Sequence, residues 1–396
     1  MLYKQISLWI LLLLWSAFAQ GQDSVYKQLQ TQLIMVADGG TIELPAGTYY
    51  FKKSLSMEGK NNITIRGKGI NKTILNFKKQ QAGAEGIRVT NGNNIVLEGF
   101  TVQDALGDAI KVSETEGVVF RRIRTEWTGT PKASNGAYGL YPVVCHKVLV
   151  EHCEARGATE AGIYVGQSQD VIVRYCEVDQ NVAGIQVENS LRVDVYHNLV
   201  NNNAMGILVF NLPAISLHGK KIRVYKNNLY RNNYKNFASQ GNYVATIPSG
   251  TGILVMAAQE VEIFENTFIN NHTVGTGITS NYTVDKRYKK YYNAYASGIS
   301  IYHNTYQREL KPTVFSRRFS GLEIKPNAVP HILFDGITNP AKPAQKVLCM
   351  RNNQVLDQAP LFADIDAIGG FKHIRKNEKK YNCTLRKLDK VWLNSE

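Results

Sequence analysis

A unit of about 22 residues, repeated along the middle of the chain, restricts its fold more than any other feature. Glycines 162, 184 and 206 each open a Gly-Ile-x-Val segment at a spacing of 22 residues. The segments between them carry a second motif, seen at Val148 and Val150, Val171 and Val173, and Val193 and Val195. Related copies begin at Ile95, Val118, Ile222 and Val261, with fainter ones at Ile63 and Ile299. Alternation of period two, broken by Asn and Gly, reads as short strands and turns, whereas a helical solenoid needs apolar residues three to four apart. One copy cannot bury its apolar side alone, so copies must stack, each turn of chain becoming a rung about 4.8 Å from the next. The expected fold is all-β, a parallel β-helix (solenoid).

The position after each Val-x-Val strand is Cys153, Cys176, Asn198, Asn227, Asn266 or Asn304. Stacked asparagines at an inward turn hydrogen-bond along the axis and satisfy polar groups that burial would leave unpaired. Cys153 and Cys176 then read as small core residues. Cys145 is left over, and Cys349 and Cys383 lie where a disulfide can staple the tail to the end of the coil.

Residues 1–19 read as a signal peptide: Lys4, an apolar run from Ile6 to Trp15, and the small residues Ala17 and Ala19 at a cleavage site. The run is too short to anchor the chain in a bilayer. The mature protein is expected near Gln20, secreted or periplasmic, with no transmembrane segment, and as a monomer. Residues 20–50 supply a short capping helix, with Val25, Leu29, Leu33 and Val36 on one face, and a first strand. Residues 51–306 form the rungs, and 307–396 hold terminal rungs and a basic tail. The helix covers strand edges that would otherwise invite aggregation.

The formal charge is +14. Eight Lys and Arg residues lie between Lys372 and Lys390 against Glu378 and Asp389, and a second cluster spans Asp285 to Lys290. Basic clusters attract polyanions. For an exported chain the expected partner is an acidic polysaccharide, not nucleic acid.

The opening around Pro45–Tyr50, followed by Ile63–Gly69, looks like the start of pectate-lyase-like proteins. From Asp23 to Tyr306 the chain resembles the pectin-lyase-like superfamily. Copies such as Gly162–Arg174 resemble its carbohydrate-binding and sugar-hydrolase repeat group, which includes exported bacterial parallel β-helix repeat-containing proteins. The resemblance implies a right-handed coil. The superfamily holds uronate lyases, polygalacturonases, mannuronan epimerases and non-catalytic periplasmic accessory proteins. The chain departs from two of its motifs: no Asp-Asp pair occurs, and the segment nearest to the epimerase Asp-Pro-His-Asp motif is Leu140–Val143.

Uneven rung lengths place a site. Extra residues cannot enter the core, so Thr125–Tyr138 (Glu126, Trp127, Lys132) and Tyr234–Thr251 (Phe237, Tyr243) must be loops. Between them lie the short turns Gly157–Glu160, Gln180–Val182 and Asn202–Ala204, giving an expected cleft about 14 Å across. Lys111, Tyr141, Tyr164 and Glu188 should share one outward face beside it. A uronate lyase or epimerase removes a C5 proton with a base such as Tyr and neutralises the carboxylate with a cation. Tyr141 or Tyr164 with Lys111 or Lys132 fits by residue type, with Trp127, Lys132 and Glu160 binding substrate. The alternative is a non-catalytic glycan-binding or accessory protein. A second outward column, Tyr196, Tyr225, Phe264 and Tyr302, is either a glycan platform, a stabilising stack, or a seat for the C-terminal segment. His152 and His197 lie two rungs apart, too far to share one metal unaided. No cofactor is expected; for calcium, the scattered acids Glu160, Asp179 and Glu188 leave the question open.

Overall fold

The computed structural model describes residues 24–213, 215, 217–283, 292–309, 329–370 and 372–393. The expected signal segment and the Asp285–Lys290 cluster lie outside them. Every strand pairing along the coil is parallel, and the chain forms a parallel β-helix. The Val-x-Val starts align in one column: Ile63, Ile95, Val118, Val148, Val171, Val193, Ile222, Val261, Ile299 and then Leu348, a copy too diverged to read in the sequence.

A single rung shows how the sequence turns. Ala161–Gly166 forms the Gly-Ile strand, Gln169–Arg174 the Val-x-Val strand and Glu177–Asp179 a short third strand. Alternate residues enter a continuous core; Ile163, Val165, Val171, Val173 and Val178 are all buried there. The corners need left-handed backbone, which non-glycine residues seldom adopt. At one corner it recurs at the same place in each rung: His152, Tyr175, His197, Lys226, Glu265 and His303 all have φ of 53–55°. That bend turns the next residue inward, and it becomes a rung of the asparagine ladder.

The ladder is built as expected. Asn198, Asn227, Asn266 and Asn304 each donate backbone N–H and Nδ2 to the Oδ1 of the next asparagine at 3.0–3.1 Å, ending on Asn353. Cys176 starts it, its N–H bonded to Asn198 Oδ1 at 3.0 Å. A second ladder, unnoticed in the sequence, runs through Asn181, Asn203, Asn232 and Asn271. Cys145 heads a third: its N–H bonds Ser168 Oγ, and that of Ser168 bonds Ser190 Oγ. Cys145, Cys153 and Cys176 are buried free thiols.

Both ends are closed. The helix over residues 24–35 seats Leu29 and Leu33 on the core. Gln30 bonds both backbone groups of Ser56, at 2.8 and 2.9 Å, so one side-chain amide stands in for the missing neighbour of an edge strand. At the other end Tyr381 packs on Phe334 and Phe362 and donates to Asp364. The Cys349–Cys383 disulfide is formed. Beyond it the tail runs back across the Val-x-Val sheet, burying Val391 and Leu393 against Leu149, Ile172, Tyr196, Tyr225, Phe264 and Tyr302.

Candidate functional site

Strand register sets the outward columns of the Gly-Ile sheet. Arg88, Lys111 and Tyr141 follow one another, as do Tyr164 and Gln186, and Gly166 pairs with Glu188. The expected face therefore exists. Part of it is roofed, which corrects the expected open cleft. The long 231–250 connection folds down, and its Phe237, Tyr243, Val244 and Ile247 pack with Tyr164, Leu208 and Phe210. Asn242 Nδ2 donates to Glu160 at 2.7 Å, and Ser239 Oγ to Ala133 O at 3.3 Å, so the two loops meet across the low turns. Apolar residues on the longer loop and on the sheet below make this closure favourable. What stays open is the edge toward the N-terminus, where Asp108, Lys111 and Tyr141 are half-buried.

Three tyrosines meet there. The rings of Tyr138, Tyr141 and Tyr164 lie 4.4–4.8 Å apart, centroid to centroid. Lys111 Nζ sits 4.9 Å above the Tyr141 ring, a cation–π contact. Tyr138 donates to Glu160 Oε2 at 2.6 Å. Tyr164 folds across Gly166, where any Cβ would stand 2.3 Å from its ring, and hydrogen-bonds Glu188 in the next rung. Glycine at 166 is thus what lets a phenol on one rung reach a carboxylate on the next.

The electrostatics oppose a tyrosinate. Burial, then the charges of Asp108, Glu188, Glu160 and Glu85, push the Tyr141 phenol up to about 12. Tyr138 and Tyr164 are driven higher, first by burial and then by Glu160 and Glu188 respectively. Burial also raises Asp108 to about 6, against the pull of Lys111 and of the Tyr138 N–H. Glu188 is raised by burial too, with its Tyr164 hydrogen bond opposing. Desolvation disfavours the charged form of every one of these groups. Burial makes the phenols poor bases and shifts Asp108 and Glu188 toward their protonated forms.

Other expected residues lie elsewhere. Trp127 is largely buried, its Nε1 donating to Ala105 O at 2.7 Å, and it lines a separate cavity of about 530 Å³ with Glu126, Arg156, Gln180 and Tyr234. Lys132 is exposed on its loop. Asp179 faces Arg156 on another sheet, apart from Glu160 and Glu188, so the three acids named for calcium are not together. Among the described residues no three His, Cys, Asp or Glu groups are disposed to hold a metal ion. Tyr196, Tyr225, Phe264 and Tyr302 stack with centroids 4.7–5.0 Å apart and planes within 11°. Ring faces are spent on neighbouring rungs and the outer edges lie under the tail, which corrects the glycan-platform reading: a sugar needs a free face. His152, Tyr175 and His197 form a similar stack, with successive centroids 5.2 Å apart. Sequence reasoning read Asp108 as a turn residue and Tyr138 as a loop end, and gave neither these nor Asn242 a place in the site. The first two were detectable, because both directly precede a Gly-Ile-type strand and so share a column; Asn242 belongs to a loop with no repeat to index it.

Comparison with known proteins agrees with the architecture. Residues 53–222 match the model of the right handed beta helix region. No curated protein matches the chain. Among solved structures, a DFA-IIIase from Arthrobacter chlorophenolicus superposes with a TM-score of 0.53 at 11% identity, covering 87% of this chain and 86% of that one. A mannuronan C-5 epimerase A-module from Azotobacter vinelandii gives 0.48 at 13% identity, covering 82% and 91%. An alginate lyase from Paenibacillus gives 0.45 at 13%, covering 85% and 95%. At such identities the likeness is one of fold. The chain is a right-handed parallel β-helix, matching the right handed beta helix region over residues 53–222.

Proposed function

We propose that this is an exported carbohydrate-active protein whose site is the open edge at Asp108, Lys111 and Tyr141, with Glu160 beside it and Glu188 buried behind, and that it works on a glycosidic bond by general acid–base catalysis. One observation carries this reading: Tyr138 bridges two carboxyl groups at a half-buried edge, its N–H on Asp108 Oδ1 at 3.3 Å and its hydroxyl on Glu160 Oε2 at 2.6 Å, and burial pushes Asp108 up to about 6. An acid with a pKa near the working pH is the better proton donor. Asp108 protonates the leaving oxygen, while Glu160, oriented by Tyr138 and Asn242, activates water. Asp108 and Glu160 stand two rungs apart, on either side of the Tyr138 strand. Sugar-acting neighbours of the same fold are consistent with this substrate class.

Uronate lyase or epimerase chemistry is less favoured here. Four carboxylates (Glu85, Asp108, Glu160, Glu188) surround Tyr141, against the cations Lys111 and Arg88. Such an edge disfavours both a tyrosinate and a bound uronate. The test is the product. Incubation with a panel of neutral glycans, alginate and polygalacturonate should release reducing ends without the ultraviolet absorbance of an unsaturated uronate. Asp108→Asn should lower that release by about 100-fold or more, while Lys132→Ala leaves it unchanged. Unsaturated product formed equally well by Asp108→Asn would refute the assignment; glycan binding with no turnover would favour the accessory-protein alternative.

A further inference from the structure

The C-terminal tail is more than a cover. From Cys383 to Leu393 it follows one outward column of the Val-x-Val sheet: Cys349, Ser300, Glu262, Arg223, Asp194, Ile172, Leu149. Six rung steps are about 29 Å, and ten extended residues at about 3.1 Å each reach about as far. Cys383, Leu385, Leu388, Val391 and Leu393 turn toward the sheet, at intervals of two or three, whereas Arg386, Lys387 and Lys390 are exposed. The disulfide fixes one end and the burial of Val391 and Leu393 the other. A groove of about 480 Å³ runs between strap and sheet, lined by Lys220, Lys221, Arg386 and Lys387, with Glu260, Glu262 and Asp389 also on its walls. Glu262 is buried beneath the strap and paired with Arg223 at 3.7 Å. Next to the strap, the cap adds exposed Lys372, Lys376, Lys379 and Lys380 against Glu378.

We infer that this strap and cap form a docking ridge for an acidic polysaccharide strand, on a different sheet from the proposed chemistry and independent of it. The cations are held outward in a line by a backbone that cannot collapse, so little order has to be imposed when a polymer binds. A lipid surface fits less well. Interfacial binding needs a cluster of apolar side chains to insert, and the strap's leucines and valine face the sheet; the large apolar residues exposed on strap and cap are Trp392, with Lys390 Nζ 4.2 Å over its ring, and Ile368 and Ile374 among the cap's lysines.

The full-length protein should bind polygalacturonate or alginate oligomers, with affinity falling as salt rises, and should not bind dextran. The triple variant Arg386→Gln, Lys387→Gln, Lys390→Gln should bind at least tenfold more weakly. The control Lys72→Gln, Lys78→Gln, Lys79→Gln removes the same charge from exposed positions at the other end and should bind like wild type. Unchanged thermal melting of both variants separates loss of the ridge from loss of the fold. Equal loss in the control, no polyuronate binding, or equally tight binding of anionic vesicles or single-stranded DNA would overturn the proposal. Asp108→Asn should leave binding intact, so failure here and failure of the proposed catalysis are read separately.

Discussion

At the scale of single residues, identity is dictated by which neighbour lies one rung away. Asn227 donates to Val195 O and Asn266 Oδ1 and accepts from both donors of Asn198. Asn227→Ala leaves buried donors unpaired and should cost about 3 kcal/mol, measured by denaturant unfolding. Cys176 sits in the same column above Asn198 and makes only part of that pattern. Cys176→Asn should extend the ladder by one rung and leave Tm equal or higher; a fall as large as that of Asn227→Ala would show that this turn is shaped for sulfur. These columns were legible because Asn and Cys recur at a fixed offset from the valines. Charge states were not. Whether Asp108 is a surface turn residue or a raised acid depends on its burial between rungs and on Glu85 and Glu160 from neighbouring ones, which no local pattern encodes.

At the scale of elements, strands and the capping helix were read correctly, since period two and a one-sided apolar helix each have a single way to bury themselves. The loops were located but not shaped: excess length shows that Tyr234–Thr251 leaves the core, while its descent onto Tyr164 and Phe210 depends on contacts between distant rungs. Of the three readings of the aromatic column, the seat for the C-terminal segment holds, with ring stacking beneath it. That strap carries its own pH dependence. Asp194 accepts from Val391 N–H at 3.4 Å, faces Arg223, Lys390 and Tyr225, and is raised by burial to about 6. An acid whose folded pKa is raised favours the folded state while protonated, and that stability is lost as pH rises through about 6. Glu262, also raised, acts in the same direction. Hydrogen exchange at residues 385–393 should therefore be faster at pH 8 than at pH 5 after correction for intrinsic rates; slower exchange at pH 8 would mean that Lys390 outweighs burial. Cys383→Ser removes the tether and should cost about 2–4 kcal/mol, seen as early loss of strap protection.

At the scale of the whole molecule, the coil separates two kinds of surface that the composition mixes. The net charge of +14 conceals a carboxylate-rich edge on the Gly-Ile sheet and a basic ridge on the Val-x-Val sheet. Sequence reasoning located the two surfaces separately but assigned both to an acidic glycan, because charge can be counted without knowing which carboxyl groups surround it; the register places Lys111 among Asp108, Glu160 and Glu188, and Lys387 on another face. If the edge performs acid catalysis, activity should decline as pH rises above about 6, when Asp108 loses its proton. The most direct measurement is a carbon-13 NMR titration of the aspartate side chains, with Asp108→Asn identifying the resonance. A midpoint for Asp108 near 6 is the predicted result; a midpoint in the ordinary aspartate range, about 3.9, would contradict it and leave the open edge without its acid.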